Sequence, residues 1–286
     1  MVKGPVELPR VGAPTADTHA HLDMLDDPAG ALERAAVMGV VYILTIADVT
    51  ESPRATYEHL PNWLAVARQR LDDWDVPRDL QPHVRVVVGA HPHNAKDYDD
   101  AAEKELLALL DEPETVGVGE IGLDFHYDHS SRDDQRRAFR AQLTIAVERN
   151  LPVVIHLREA HEEGIAILEE IGIPTAGCVV HCFTGDEELA KRFLDLGCYI
   201  SFAGPVTFKM ASAIRSAAAA VPLERLLVET DSPFMAPEPH RGRTNEPAWV
   251  TLTVERIAEV KGVHAAVVAE ACLENALEVF GETKGE

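Results

Sequence analysis

The chain has 286 residues, with 26 Lys and Arg against 48 Asp and Glu, for a formal net charge of −22. That balance excludes a broad non-specific nucleic-acid surface, which would have to be basic. It does not exclude an enzyme that grips one or two phosphates through bound cations, since two divalent ions place about four positive charges at one point.

Residues 1–14 read as a short arm containing Pro and Gly. They lack the apolar core of a signal peptide, and no later run approaches the roughly 18 apolar residues of a membrane helix. In chain order, the candidate strands are 15–18, 40–47, 84–89, 116–121, 152–156, 178–182, 198–202 and 226–230. Amphipathic stretches separate them. The clearest is 132–149, with Phe139, Leu143, Ala146 and Val147 on one face. The connection 51–81, which contains Trp63 and Trp74, is unusually long, and a further helix at 265–280 is expected to pack across the barrel. Alternation of strand and helix predicts a parallel sheet, and eight repeats predict a closed (β/α)8 TIM barrel. An open doubly wound sheet is the alternative on periodicity alone. Such barrels run to about 250 residues as one domain, so 15–286 is read as a single domain. Cys178, Cys182, Cys198 and Cys272 form no CxxC pair, which predicts buried free thiols in a reducing cytoplasm.

Barrel chemistry sits at the C-terminal ends of the strands. There the sequence places Asp17-Thr-His19-Ala-His21, Gly89-Ala-His91-Pro92-His93, Gly119-Glu120-Ile-Gly122-Leu-Asp124, His156, His181 and Glu229-Thr-Asp231. A His-x-His among thirteen histidines is weak alone, a lone His at a strand end is commonly a hydrogen-bonded structural residue, and a carboxylate there is commonly a helix cap. The joint pattern converges on one axis, and that points to metal. Strand alternation puts His19 with His21, and Glu229 with Asp231, on the inner side. Imidazoles with carboxylates suit Zn²⁺ or Mn²⁺, and a shell richer in carboxylate and water suits Mg²⁺. Glu120, flanked by glycines, is the natural bridge between two divalent cations about 3.5–4 Å apart.

The segments DTHAHLD, VGAHPH, GVGEIGLDFHYD, LPVVIHLREAH, VVHCFTGD, YISFAGPVTFK, LLVETDSPFMAP and RGRTNEPAWV resemble the TatD family of metal-dependent deoxyribonucleases, in the amidohydrolase-like superfamily. The resemblance implies a (β/α)8 barrel that hydrolyses phosphodiester bonds of DNA. It implies that His19, His21 and Asp231 hold a first cation, that His156 and His181 hold a second, and that Glu120 bridges them. It also places Asp231 next to the attacking water, making it the candidate proton acceptor. Leu157 stands where the family usually has Ser, 47–49 lacks the usual Gly/Thr character, and 51–81 is long; these departures bear on substrate preference.

Around that set, His91 is expected to touch substrate or support a ligand, and to help in proton transfer; a structural histidine is the alternative. Glu229 would orient a ligand or the water from one layer down, or is simply a buried, hydrogen-bonded carboxylate. Arg241 and Arg243 are the candidates for holding substrate phosphate, with Asn245 as cap of a following helix. Phe125, Tyr127 and Phe208 are either base-stacking or wall residues. The expected activity is exonucleolytic cleavage at a DNA strand end, with no membrane or obligate protein partner. The alternatives are a lactone, amide or aminoacyl-ester hydrolase on the same metals, or an inactive binding module, against which the full ligand set argues.

Overall fold

The structure, a computed structural model, describes residues 8–73 and 76–281. Trp74 and the first half of the expected arm lie outside the described residues. Eight parallel strands pair in chain order: β1 (Thr15–Ala20), β2 (Val40–Asp48), β3 (His83–Gly89), β4 (Thr115–Asp124), β5 (Val153–Arg158), β6 (Cys178–Val180), β7 (Tyr199–Phe202) and β8 (Leu226–Val228). Around them lie α1 (Pro28–Val37), α2 (Pro53–Asp72), α3 (Asp100–Leu109), α4 (Arg132–Arg149), α5 (His161–Ile171), α6 (Glu187–Asp195), α7 (Ser212–Ala220), α8 (Val250–Lys261) and α9 (Ala265–Phe280). This is a (β/α)8 TIM barrel. Its long second connection is filled by α2. None of the described helices is long and apolar enough to cross a membrane.

Parallel strands are covered on both faces, so each reads as an apolar run rather than as an alternation. In β2, Tyr42, Leu44 and Ile46 join Ala16, Val87, Val154, Val179, Tyr199 and Leu227 in the inner core, while Val40, Ile43 and Ala47 belong to the layer under the helices. Ala276, Val279 and Phe280 of α9 complete that inner cluster. The Tyr42 hydroxyl donates to the Gly281 carbonyl at 3.4 Å. Helix α9 therefore plugs the N-terminal floor of the barrel, and burial of Phe280 is worth about 1.5–3 kcal/mol. Val11, just ahead of β1, is buried in the outer layer.

The seam between β1 and β8 closes at the opposite, C-terminal end. The Asp231 N–H donates to the His19 carbonyl (2.9 Å) and the His21 N–H to the Ser232 carbonyl (2.7 Å). The Asp17 carboxylate accepts from both the N–H (2.8 Å) and the hydroxyl (2.6 Å) of Thr230. Helix α4 starts at Ser131, whose hydroxyl accepts from the Asp134 N–H, and stops at Asn150 in the left-handed region (φ 49°). Two of its buried amides brace strand ends. Gln142 accepts from the Ala90 N–H (2.6 Å), and Gln135 accepts from the N–H of Asp124 (2.8 Å) and donates to its carbonyl (2.9 Å).

Candidate metal centre

Glu120 stands at the centre of the barrel mouth. Its β4 segment loses register between Val118 and Ile121, and β1 does so between Asp17 and Ala20. Such irregularities re-aim side chains, and they fall where His19 and Glu120 must turn inward. Gly122 (φ +144°) has no room for a side chain, since a Cβ there would lie 2.0 Å from the His156 carbonyl oxygen. That glycine lets β4 and β5 approach closely enough to bring Glu120 and His156 together.

The two carboxylate oxygens of Glu120 face different partners. Oε2 lies 3.2 Å from His19 Nε2 and 3.9 Å from His21 Nε2. Oε1 lies 2.7 Å from His156 Nδ1, 2.7 Å from His181 Nε2 and 3.4 Å from His91 Nε2. On the first side, Asp231 Oδ1 stands 3.6 Å from His21 Nε2 and 3.9 Å from His19 Nε2. The structure thus brings all six expected ligands together, with His91 beside them. Among the described residues, three overlapping triads could hold a metal ion, each with its ligand atoms within 4.8 Å of one another. They are His19–His21–Glu120, His91–Glu120–His156 and His19–His181–Glu229.

The chemistry of the set fits a cation. Both ring nitrogens of His19 are buried without a hydrogen-bond partner. A buried polar atom left unpaired is costly, and an imidazole nitrogen facing a carboxylate is a natural metal ligand. Burial opposes the Glu120 carboxylate, but the charges of His181, His91 and His19 outweigh it and hold its pKa well below the usual range. Burial likewise opposes the His181 cation, yet Glu120 and Glu229 raise its pKa well above normal. His19 is pushed down, by burial first and then by the charge of His181. Burial works against the Asp231 carboxylate too, and the histidines around it keep its pKa low. Oppositely charged groups so crowded keep the carboxylates ionised, and a cation entering the site would have to displace the protons that the histidines carry.

A further layer holds these side chains in place. Glu229 is fully buried; it accepts from the Cys182 N–H (2.7 Å) and the Ser201 hydroxyl (2.5 Å), and it lies 3.1 Å from His181 Nδ1. Its contact with Nδ1 leaves His181 Nε2 facing Glu120. Asp124 makes the matching arrangement on the other side. Its Oδ2 sits 3.2 Å from His156 Nε2 and 2.9 Å from His93 Nε2, while Oδ1 accepts from the N–H groups of His126 and Tyr127. Reading the sequence missed the part played by Asp124 and His93. The available signal was the even spacing of Glu120, Gly122 and Asp124, which puts them on one side of a strand. His91 accepts at Nδ1 from the His93 N–H (3.1 Å), which turns its Nε2 toward Glu120, and its own N–H donates to Asp48 (3.1 Å).

A cavity of about 680 Å³ opens over this centre. Arg158, also missed from sequence, lines it with its guanidinium 4.8 Å from the centre of the Tyr127 ring; Leu157, Asp48, Glu51 and Cys182 line it too. Arg241 and Arg243 are not among the lining residues. Both are exposed, and Arg241 lies over Phe208, 4.4 Å from the ring centre. The expectation that Asn245 caps a helix needs correction. Asn245 is buried and donates its amide to the carbonyls of Thr230 (2.8 Å) and Phe234 (2.7 Å), bracing the loop after β8. Glu246 precedes a short 3-10 turn at Pro247–Trp249 and pairs with Arg34 at 2.7 Å. All four cysteines are free; Cys178, Cys198 and Cys272 are buried as expected, but Cys182 is only half-buried.

Comparison with known proteins places the chain in a family. The family model for TatD related DNase matches residues 16–281. The uncharacterized metal-dependent hydrolase YcfH of Escherichia coli is 39% identical, over 92% of this chain and 94% of its own. The uncharacterized metal-dependent hydrolase YabD of Bacillus subtilis is 36% identical, over 92% of this chain and 98% of its own. The 3'-5' ssDNA/RNA exonuclease TatD of Escherichia fergusonii is 38% identical, over 70% of this chain and 79% of its own. Among solved structures, the TatD homologue YJJV of Escherichia coli superposes with a TM-score of 0.82 at 30% identity, covering 94% of this chain and 98% of the other. The chain therefore belongs to the TatD-related DNase family, as a metal-dependent hydrolase on a (β/α)8 barrel.

Proposed function

We propose that this hydrolase cleaves phosphodiester bonds of DNA, taking a single strand by its end, with two divalent cations at the barrel mouth. The observation that carries the reading is the placement of Glu120, one oxygen toward His19 and His21 and the other toward His156 and His181. His19, His21 and Asp231 would hold one cation, His156 and His181 the other, with Glu120 common to both. Four histidines and two carboxylates suit Zn²⁺ or Mn²⁺ better than Mg²⁺. The 38% identity to a protein named as a 3'-5' ssDNA/RNA exonuclease supports the substrate class, as does a cavity of about 680 Å³, of the size that takes one small-molecule unit. The four unbridged cysteines support a reducing, cytoplasmic setting.

Bound cations would lower the pKa of the attacking water and offset charge on the phosphoryl oxygens. The chain's own groups then have distinct tasks. Asp231 accepts the proton of the attacking water, its Oδ1 standing 3.6 Å from His21 Nε2 at the same side of the centre. It later returns that proton toward the leaving deoxyribose oxygen, with His91 as helper through its inward-facing Nε2. Glu229 and Asp124 fix the rings of His181 and His156. Arg158 lines the cavity and is placed to meet a phosphate, whereas Arg241 and Arg243 are exposed and do not line it.

The test is product analysis on a single-stranded ten-nucleotide DNA labelled at either end, beside a panel of lactones and aminoacyl esters. Stepwise release of mononucleotides from one end, stopped by chelation, is the expected result. Intact DNA with hydrolysed lactone or aminoacyl ester would overturn the proposal.

A further inference from the structure

A second hollow, of about 530 Å³, lies beside the barrel mouth, lined by Phe208, Lys209, Met210, Ala211, Glu238 and Arg241. Its walls come from the two loops that also border the metal centre. Pro205 and Met235 line the central cavity, while Phe208 and Glu238, each three residues further along the same two loops, line the hollow. Phe234, half-exposed on the central cavity, has its ring 5.8 Å from that of His21, edge to face.

The hollow is rigidly built. The Arg215 guanidinium donates to the carbonyls of Val206 (3.3 Å), Phe208 (2.6 Å) and Lys209 (3.1 Å). The Thr207 hydroxyl donates to the Gly204 carbonyl (2.7 Å) and accepts from the Glu238 N–H (2.8 Å), tying the two loops together. On this frame Met210 is 93% exposed, and the Arg241 guanidinium carbon stands over Phe208, 4.4 Å from the ring centre. Most of the arginines on the outer helices are neutralised in ion pairs, but neither Lys209 nor Arg241 has an acidic partner among the described residues. On a body of net charge −22, which repels a polyanion elsewhere, such unpaired cations set the path along which a nucleic-acid strand can lie.

A guanidinium over an aromatic ring, beside an exposed thioether and a lysine, is a ledge for a flat base with its phosphate alongside. We infer that this hollow is a stacking subsite for single-stranded nucleic acid, receiving a nucleotide of the strand that trails out of the barrel mouth past Phe234. The inference rests on the nucleic-acid reading of the metal centre and adds where the uncleaved part of the strand is held.

The experiment compares two substrates in the metal-loaded enzyme: a single-stranded ten-nucleotide DNA, which is long enough to reach the hollow, and bis(p-nitrophenyl) phosphate, which is not. The readout is the ratio of their kcat/KM values in wild type, Phe208→Ala and Arg241→Met. Stacking of one base predicts that the ratio falls about tenfold in Phe208→Ala, with a smaller fall in Arg241→Met. Arg241 is exposed and makes no side-chain hydrogen bond to the fold, so that variant remains decisive if Phe208→Ala fails to fold. A ratio within about twofold of wild type in the soluble variants overturns the subsite while leaving the nuclease reading intact. A wild-type enzyme that splits bis(p-nitrophenyl) phosphate but leaves the DNA whole overturns the nucleic-acid reading, and the subsite with it.

Discussion

At the floor of the barrel, Ala276, Val279 and Phe280 of α9 fill the space among Ala16, Tyr42 and Tyr199. At the mouth, His19, His21, His156, His181 and Asp231 pack around Glu120, and both nitrogens of the buried His19 ring lack a hydrogen-bond partner. The floor is apolar and complete on its own; its burial stabilises the fold without further help. The mouth concentrates ionisable groups that are costly to bury and that pair closely with one another around Glu120. One end of the barrel thus holds the structure together, and the other spends part of that stability on chemistry. The contrast explains why α9 is needed beyond the eight βα units. An apolar inner core open to water at the floor would lose the burial that stabilises the barrel.

Substitutions at the two ends should therefore behave differently. The largest effect is expected at Asp231. Replacement by Asn keeps an oxygen for coordination but removes the base, so a single-turnover rate on the ten-nucleotide strand should fall by about 10²–10⁴-fold with metal content retained. A rate within about threefold of wild type, both metals present, would leave Asp231 as a ligand only. A smaller effect is expected one layer out. Asp124→Asn removes the carboxylate held between His156 and His93, and calorimetric titration of the metal-free variant should show about 10–100-fold weaker binding at one site with the other unchanged. Equal affinities in variant and wild type would show that His156 is oriented without it. At the floor, Phe280→Ala should lower stability by about 3–5 kcal/mol in urea unfolding and leave kcat per folded molecule unaltered. A parallel loss of kcat would mean that the two ends are not separable.

The eight strands could be read from sequence because parallel strands buried on both faces leave apolar runs. Their ends were less legible, and the misses cluster at the mouth. Strand β6 stops at Val180 and β8 at Val228, short of the expected 182 and 230. His181 and Glu229 still donate their N–H groups to Ile155 and Phe202 of the neighbouring strands, while the side chains of His181 and Glu229 turn to Glu120 and to each other. Cys182 (φ 43°) and Asp231 (φ 55°) take left-handed backbone there. Strand β4 instead runs on to Asp124, where Gln135 of α4 holds it. The histidines around Glu120 were visible because their positions at strand ends follow from the fold. Asp124, His93, Arg158 and the bracing role of Asn245 were not, because each depends on a partner brought close only by the folded loops, such as His156 for Asp124 or Phe234 for Asn245.

The central claim is that Glu120 is shared by two divalent cations. It is tested most directly by elemental analysis of metal bound per chain, in wild type and Glu120→Ala purified side by side, with native folding checked by circular dichroism. The geometry of Glu120, with Oε2 toward His19 and Oε1 toward His156 and His181, predicts about two cations per chain in the wild type. It also predicts loss from both sites in the variant, with hydrolysis reduced to background. Equal metal content in the two folded proteins would contradict the bridge, and with it the two-cation account of the site.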